Sequence, residues 1–357
     1  MRKGWEYKSF ETCINKLSKP KQVKTSEYSS GTKYPIISQE DKLISGYYDD
    51  ESYVFHIDSP VVIFGDHTRV LKYVDFDFVV GADGVKIISP KRELNAKFLL
   101  YYLQWYKIPN LGYSRHYKLL KEIDIPLPPL STQIAIVSEL DKINELIRLK
   151  KEQLKDFDNL AQSLFYEMFG EGKCMRKKLK DIVKIQSGQV SPLEEPYSEM
   201  IHVGPANIES NTGRLLNLKT AKEENLISGK YLFNSSMVLY SKIRPNLNKV
   251  TIPSFEGICS ADMYPIIPLE CIDKNFLLFL LKQKEFLTYA ISNSGRANIP
   301  KINREALLNY EAILPPLSLQ RLFAQRIEQI EREKSEVQKS IQDLETLLAS
   351  RMQYWFE

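Results

Sequence analysis

The chain has 357 residues, 43% of them apolar and 26% charged, and carries a net charge of +4. That length supports two domains with connecting elements, and the composition is that of folded globular protein rather than disordered chain. The longest apolar runs, such as FLLFLL at 276–281, fall far short of the roughly 20 residues a spanning helix needs, so no membrane role is expected. Four cysteines and four histidines are scattered without CxxC or ligand spacing, which argues against a zinc site or a disulfide framework. The start, MRKGWEYKSF, is charged with no apolar stretch behind it, so a cytoplasmic protein without a secretory leader is expected.

In chain order, residues 1–124 carry a net +3 and read as mixed α/β. VVIFGDH (61–67) and FDFVVGADG (76–84) are short apolar runs broken by turn residues, as strands are. KFLLYYLQWY (97–106) reads as a buried helix. LPPLSTQ (127–133) follows, and its paired prolines end a strand and rigidly join the domain to what comes next. Ser131 is placed to cap a new helix. Residues 125–172 then hold apolar side chains at a 3, 4, 3, 4 spacing: Leu140, Ile143, Ile147, Leu154, Phe157 and Leu164, with Lys150 in the same stripe. Such a stripe is a coiled-coil seam.

The second half repeats the first. Residues 173–311 contain SMVLYSKIRP (236–245) as a strand and KNFLLFLLKQKEFLTYAI (274–291) as a buried helical stretch. LPPLSLQ (314–320) returns 187 positions after LPPLSTQ, with Ser318 in the capping place. Residues 312–357 carry the second seam: Ile327, Ile330, Val337, Ile341, Leu344 and Leu348, with Lys334 among them. Residues 125–170 align without gaps on 312–357, and VVIFGDHTR (61–69) takes the place of MVLYSKIRP (237–245). The predicted fold is therefore mixed α/β: two α/β domains joined by two long helices in an antiparallel intramolecular coiled coil, as an internal pseudo-two-fold repeat. A helix of about 38 residues is a rod of roughly 55 Å, equal to at most ~16 base pairs of duplex. Lys150 and Lys334 would help fix the register of the seam.

No catalytic signature interrupts this plan. The chain lacks a GxxxxGK[ST] phosphate loop, a GxGxxG fingerprint, an Asn-Pro-Pro-Tyr type methyltransferase motif and HExxH. FGDHTR (64–69) offers one Asp and one His, too few ligands for a metal, and the repeat has SKIRP there. No catalytic residue and no metal site are assigned.

The repeated LPPLSxQ joint with its heptad helix, GDHTR with FDFVVGADG, and SKIRP together resemble the specificity subunit of type I restriction–modification enzymes (the HsdS family), over essentially the whole chain. The resemblance implies two target recognition domains, each reading half of a split double-stranded DNA sequence. It implies conserved helices that set the gap and dock modification (methyltransferase) and restriction (motor-nuclease) subunits. S-adenosylmethionine, ATP and Mg would act in those partners, none in this chain. The start almost directly at the first domain would leave the distal helix region short or dependent on partners. An assembly scaffold that binds proteins without reading DNA is the alternative, since the charge excess is small.

Loops between apolar strands are where base contacts belong, made by Arg to guanine and Asn to adenine, with Lys on phosphate. The candidate DNA-binding residues are His67, Thr68 and Arg69 with Arg115, His116 and Lys118 in the first domain. In the second they are Lys242, Arg244, Asn246 and Asn248 with Arg296, Asn298 and Lys301.

Overall fold

A computed structural model describes residues 4–18, 20–29, 31, 33–82, 84–112, 114–170, 174–295 and 298–357. The chain forms two compact units, residues 1–154 with 336–357, and residues 155–335. Two 40-residue helices, Leu130–Phe169 and Leu317–Phe356, each contribute one end to each unit.

In the first unit, Val61–Gly65 is wholly buried, which suits a β-branched and aromatic sequence with no polar face. It pairs antiparallel with Leu71–Val74 and with Val85–Ile88, Val62 lying opposite Ile88. A second sheet is built around Phe78–Val80, which runs parallel to Tyr34–Ile37 and antiparallel to Val54–Phe55. Glu6–Ser9 pairs with Asp124–Leu127, closing the start of the unit onto the strand that leads into the joint. The helix Ala96–Tyr106 is capped by Asn95, whose side chain accepts from the Phe98 N–H at 3.0 Å.

The second unit follows the same plan. Val238–Ser241 is wholly buried and pairs antiparallel with Met263–Pro268, Val238 opposite Ile266. Ile201–Val203 runs parallel to Gly257–Cys259, and Arg176–Lys178 pairs with Glu311–Ile313 ahead of the second joint. The helical stretch expected over 274–291 is two helices, Lys274–Lys282 and Lys284–Ser292, because Gln283 is extended (ψ 145°). Asp273 caps the first of them, accepting from the N–H groups of Asn275 (2.9 Å) and Phe276 (3.1 Å).

Both long helices start one residue before the expected serine. Ser131 and Ser318 sit inside the first turn, and the preceding proline carbonyl opens the helix: Pro129 O accepts from Thr132 and Gln133, Pro316 O from Leu319 and Gln320. The proline carbonyls thus take the Gln133 and Gln320 N–H groups, which a serine cap would otherwise have met. The joint is locked by the glutamine instead. Gln133, fully buried, donates through Nε2 to the carbonyls of Glu93 and Pro128 (2.9 Å each), and its Oε1 accepts from the Asn95 N–H at 2.8 Å. Gln320 repeats this with Cys271 (3.0 Å), Pro315 (2.8 Å) and the Asp273 N–H (2.8 Å). One amide thereby ties each long helix to the cap of its unit's own helix.

Within each unit the two long helices run antiparallel. In the first, Glu139 accepts from Arg351 and from Trp355 Nε1 (3.0 Å), and Phe356 inserts among Phe98, Tyr102 and Trp105 at ring distances of 5.4–6.0 Å. In the second, Phe169 packs on Phe276 and Phe323, each at 5.3 Å, and Lys334 reaches Asp158 at 2.8 Å. Of the seam residues, Leu140, Ile143, Ile147, Ile330, Val337 and Ile341 are buried. Leu154, Phe157, Leu164, Ile327, Leu344 and Leu348 are half-buried.

Candidate nucleic-acid interface

In each unit the loop after the matched buried strand meets the segment just before the joint. In the first unit Asp66, buried at the strand's end, organises the meeting. Its carbonyl accepts from the His116 N–H (2.9 Å), and its carboxylate accepts from the Tyr117 N–H (2.8 Å) and faces Lys86 Nζ at 3.7 Å. His116 is completely buried. The Leu111 N–H donates to its Nε2 (3.0 Å), so Nδ1 carries the proton and donates to the Asp66 carbonyl (3.0 Å). His116 is thus a clamp on the loop and not a DNA contact, since both ring nitrogens are spent inside the protein. Arg115 and Lys118 on either side of it are exposed, as is Thr68, whose hydroxyl donates to the Gln39 carbonyl at 2.6 Å. His67 is half-buried. Arg69 has a left-handed backbone (φ 63°) and donates through Nη1 to the Ile108 carbonyl at 3.2 Å.

In the second unit the two segments are joined as a short ladder. Ile243 bridges Lys301, the Arg244 N–H donates to the Pro300 carbonyl (2.7 Å), and the Ile302 N–H to the Lys242 carbonyl (3.0 Å). Asp262 lies between the ammonium groups of Lys242 (3.7 Å) and Lys301 (3.9 Å). Arg244 and Asn248, at φ 47° each, bracket the turn Pro245–Leu247 and throw its tip outward. Arg244, Asn246, Asn298 and Lys301 are exposed and Lys242 is half-buried. Asn248 is buried with its amide directed at the Lys282 carbonyl (3.4 Å), so it supports the turn and is withdrawn from the contact set. Arg296 lies outside the described residues.

The surface so assembled is a cationic and amide-bearing rim held on rigid strand ends, able to bind a polyanion and to offer Arg and Asn to base edges. Among the described residues no group of three or more His, Cys, Asp or Glu side chains is placed to hold a metal ion, and no helix is long and apolar enough to cross a membrane. Gln39 escaped the sequence reading. Its carbonyl and its Oε1, which accepts from the His67 N–H at 3.3 Å, link a second loop to the first. Its partners lie 28 residues and more away in sequence, beyond any local pattern.

Two α/β units of one plan, each closed by the ends of the same two helices, define a duplicated α/β architecture. The model of the type I restriction modification DNA specificity domain matches residues 2–156 and again 172–346. The chain belongs to that family. It is 36% identical over 193 residues to the type I restriction enzyme EcoDI specificity subunit of Escherichia coli, a match covering 54% of this chain and 40% of that one. It is 26% identical over 270 residues to the MjaVIII specificity subunit of Methanocaldococcus jannaschii, covering 65% and 62%. The matches thus span less than two thirds of either relative. The solved S subunit of the type I system from M. genitalium shares the fold at a TM-score of 0.61 and 16% identity, over 98% of this chain and 95% of that one.

Proposed function

We propose that this chain is the DNA sequence-specificity subunit of a type I restriction–modification system and reads a bipartite duplex target. Residues 1–124 and 173–311 are its two recognition domains, and 125–172 and 312–357 its conserved helices, on which methyltransferase and restriction subunits dock. The chain is a non-catalytic subunit, with S-adenosylmethionine, ATP and Mg used by its partners, and it acts in the cytoplasm where chromosomal DNA lies. The observation that carries this reading is the recurrence, in each unit, of an arginine-bearing loop at a buried strand end, with Arg69 half-buried and Arg244 exposed, joined to a segment with exposed basic side chains, Arg115 and Lys118 in one unit and Lys301 in the other. Two such rims suit two half-sites. Arg69 and Arg244 serve opposite halves.

The test is a footprint of the complex on its target. Arg244→Ala should weaken protection of one half-site by about tenfold, the worth of a good Arg–guanine pair, and leave the other intact. Equal loss at both halves would overturn independent reading. Binding to random duplex that does not weaken as salt rises would overturn DNA binding itself.

A further inference from the structure

We propose that the turn at residues 209–214 in the second unit is a further DNA-reading segment, with Asn211 and Arg214 as its base-contacting side chains. The inference rests on the DNA-reading function above and adds residues to it.

The turn follows Ile201–Val203 and is seated directly on the 244–248 loop. The Asn211 N–H lies 3.3 Å from the carbonyls of both Leu247 and Asn248. One lysine holds the turn from the protein side, and a second holds the chain that leads into it. Lys282 Nζ donates to the Thr212 carbonyl at 2.8 Å, and Lys249 Nζ donates to the Pro205 carbonyl at 2.7 Å. Burial makes the Lys282 ammonium easier to deprotonate than an ordinary lysine, and the Glu331 carboxylate opposes that shift.

The tip has one shape before any ligand arrives. Gly213 is left-handed (φ 78°), and a Cβ there would stand 2.2 Å from the Val250 carbonyl, so the backbone is pressed onto the neighbouring strand. Asn211 is left-handed as well (φ 65°), a conformation asparagine tolerates. Glu209 accepts from the Thr212 hydroxyl (2.6 Å) and from Arg214 Nη2 (3.0 Å), an ion pair within the turn. Asn211, Thr212 and Arg214 are all exposed. An amide and a guanidinium on a pre-set backbone, beside Arg244 and Asn246, are the groups that read adenine and guanine in the major groove.

The first unit builds the same arrangement from unrelated residues. The loop after Tyr34–Ile37 meets the 66–69 loop through Gln39, and the buried Lys72 donates to the carbonyls of Ser38 (2.9 Å) and Lys42. Its tip bears Glu40 and Asp41, so the assignment of reading residues is confined to the second unit.

The experiment assembles the full chain with its methyltransferase subunits and measures binding to the target with each position randomised in turn. Asn211→Gly keeps the positive φ while deleting the amide, and Arg214→Ala deletes the guanidinium. Each should lose about tenfold of discrimination at one or two positions of a single half-site, with the other half unchanged. Variants that keep the wild-type preference at every position, or that weaken both halves equally, would overturn the proposal. A wild-type complex that shows no split preference would overturn the parent reading, and this one with it.

Discussion

Gln133 and Gln320 are fully buried in the first turns of the two long helices, and each makes three hydrogen bonds to backbone groups of its own unit. Truncation would strand an N–H and two carbonyls in the interior and leave a cavity. Gln133→Ala or Gln320→Ala should therefore cost about 2–4 kcal/mol, the price of several orphaned polar groups rather than of one bond. Urea unfolding followed by circular dichroism measures it, and a loss under about 1 kcal/mol would show that water replaces the amide. The glutamine was legible as an identity between the two joints, but its task was not. Its partners Glu93, Asn95, Cys271 and Asp273 are 38–49 residues away in sequence. The same limit hid the burial of His116 and Asn248. A polar side chain in a loop reads as solvent-facing until its distant partners, Asp66 and Lys282, are placed.

At the scale of elements, the two-helix architecture was legible because heptad spacing is local: side chains three and four apart share a face whatever the rest of the chain does. The buried strands were legible too, as continuous apolar runs. The break at Gln283 was not, since no Gly or Pro marks it. Where the helices meet in the first unit, Glu139 is the telling residue. Hydrogen bonds from Arg351 and then Trp355 hold its carboxyl below the ordinary value of 4.5. A carboxyl depressed in the folded state stabilises fully above the unfolded value and loses that contribution as pH falls through and below it. Glu139→Gln should therefore be less stable than the natural chain at pH 7 by about 1 kcal/mol, a modest figure because the pair is one-third exposed. The gap should narrow once the pH falls below about 4.5 and close only below the lower value of the folded carboxyl. Urea midpoints at pH 7 and pH 4 decide it, and a gap unchanged between them would remove Glu139 from the account.

At the scale of the molecule, neither unit is made from one helix alone. The first unit takes residues 1–154 and then waits for 336–357, whereas the second lies wholly within 155–335. The last turn is no appendage: Phe356 is buried against Phe98, Tyr102 and Trp105, the place that Phe169 fills against Phe276 in the other unit. Loss of a buried phenylalanine alone costs about 3–5 kcal/mol, which is a large share of a domain's stability. A chain ending at residue 335 should thus keep a cooperatively folded second unit and lose the first. Hydrogen exchange read by mass spectrometry would show protection retained in 238–241 and 263–268 and lost in 61–65 and 85–88. Phe356→Ala should shift the same peptides in the same direction by less. Equal protection in both sets would mean that the first unit folds without the returning helix, and that the duplication joins two self-sufficient domains instead of two that close only when the chain comes back.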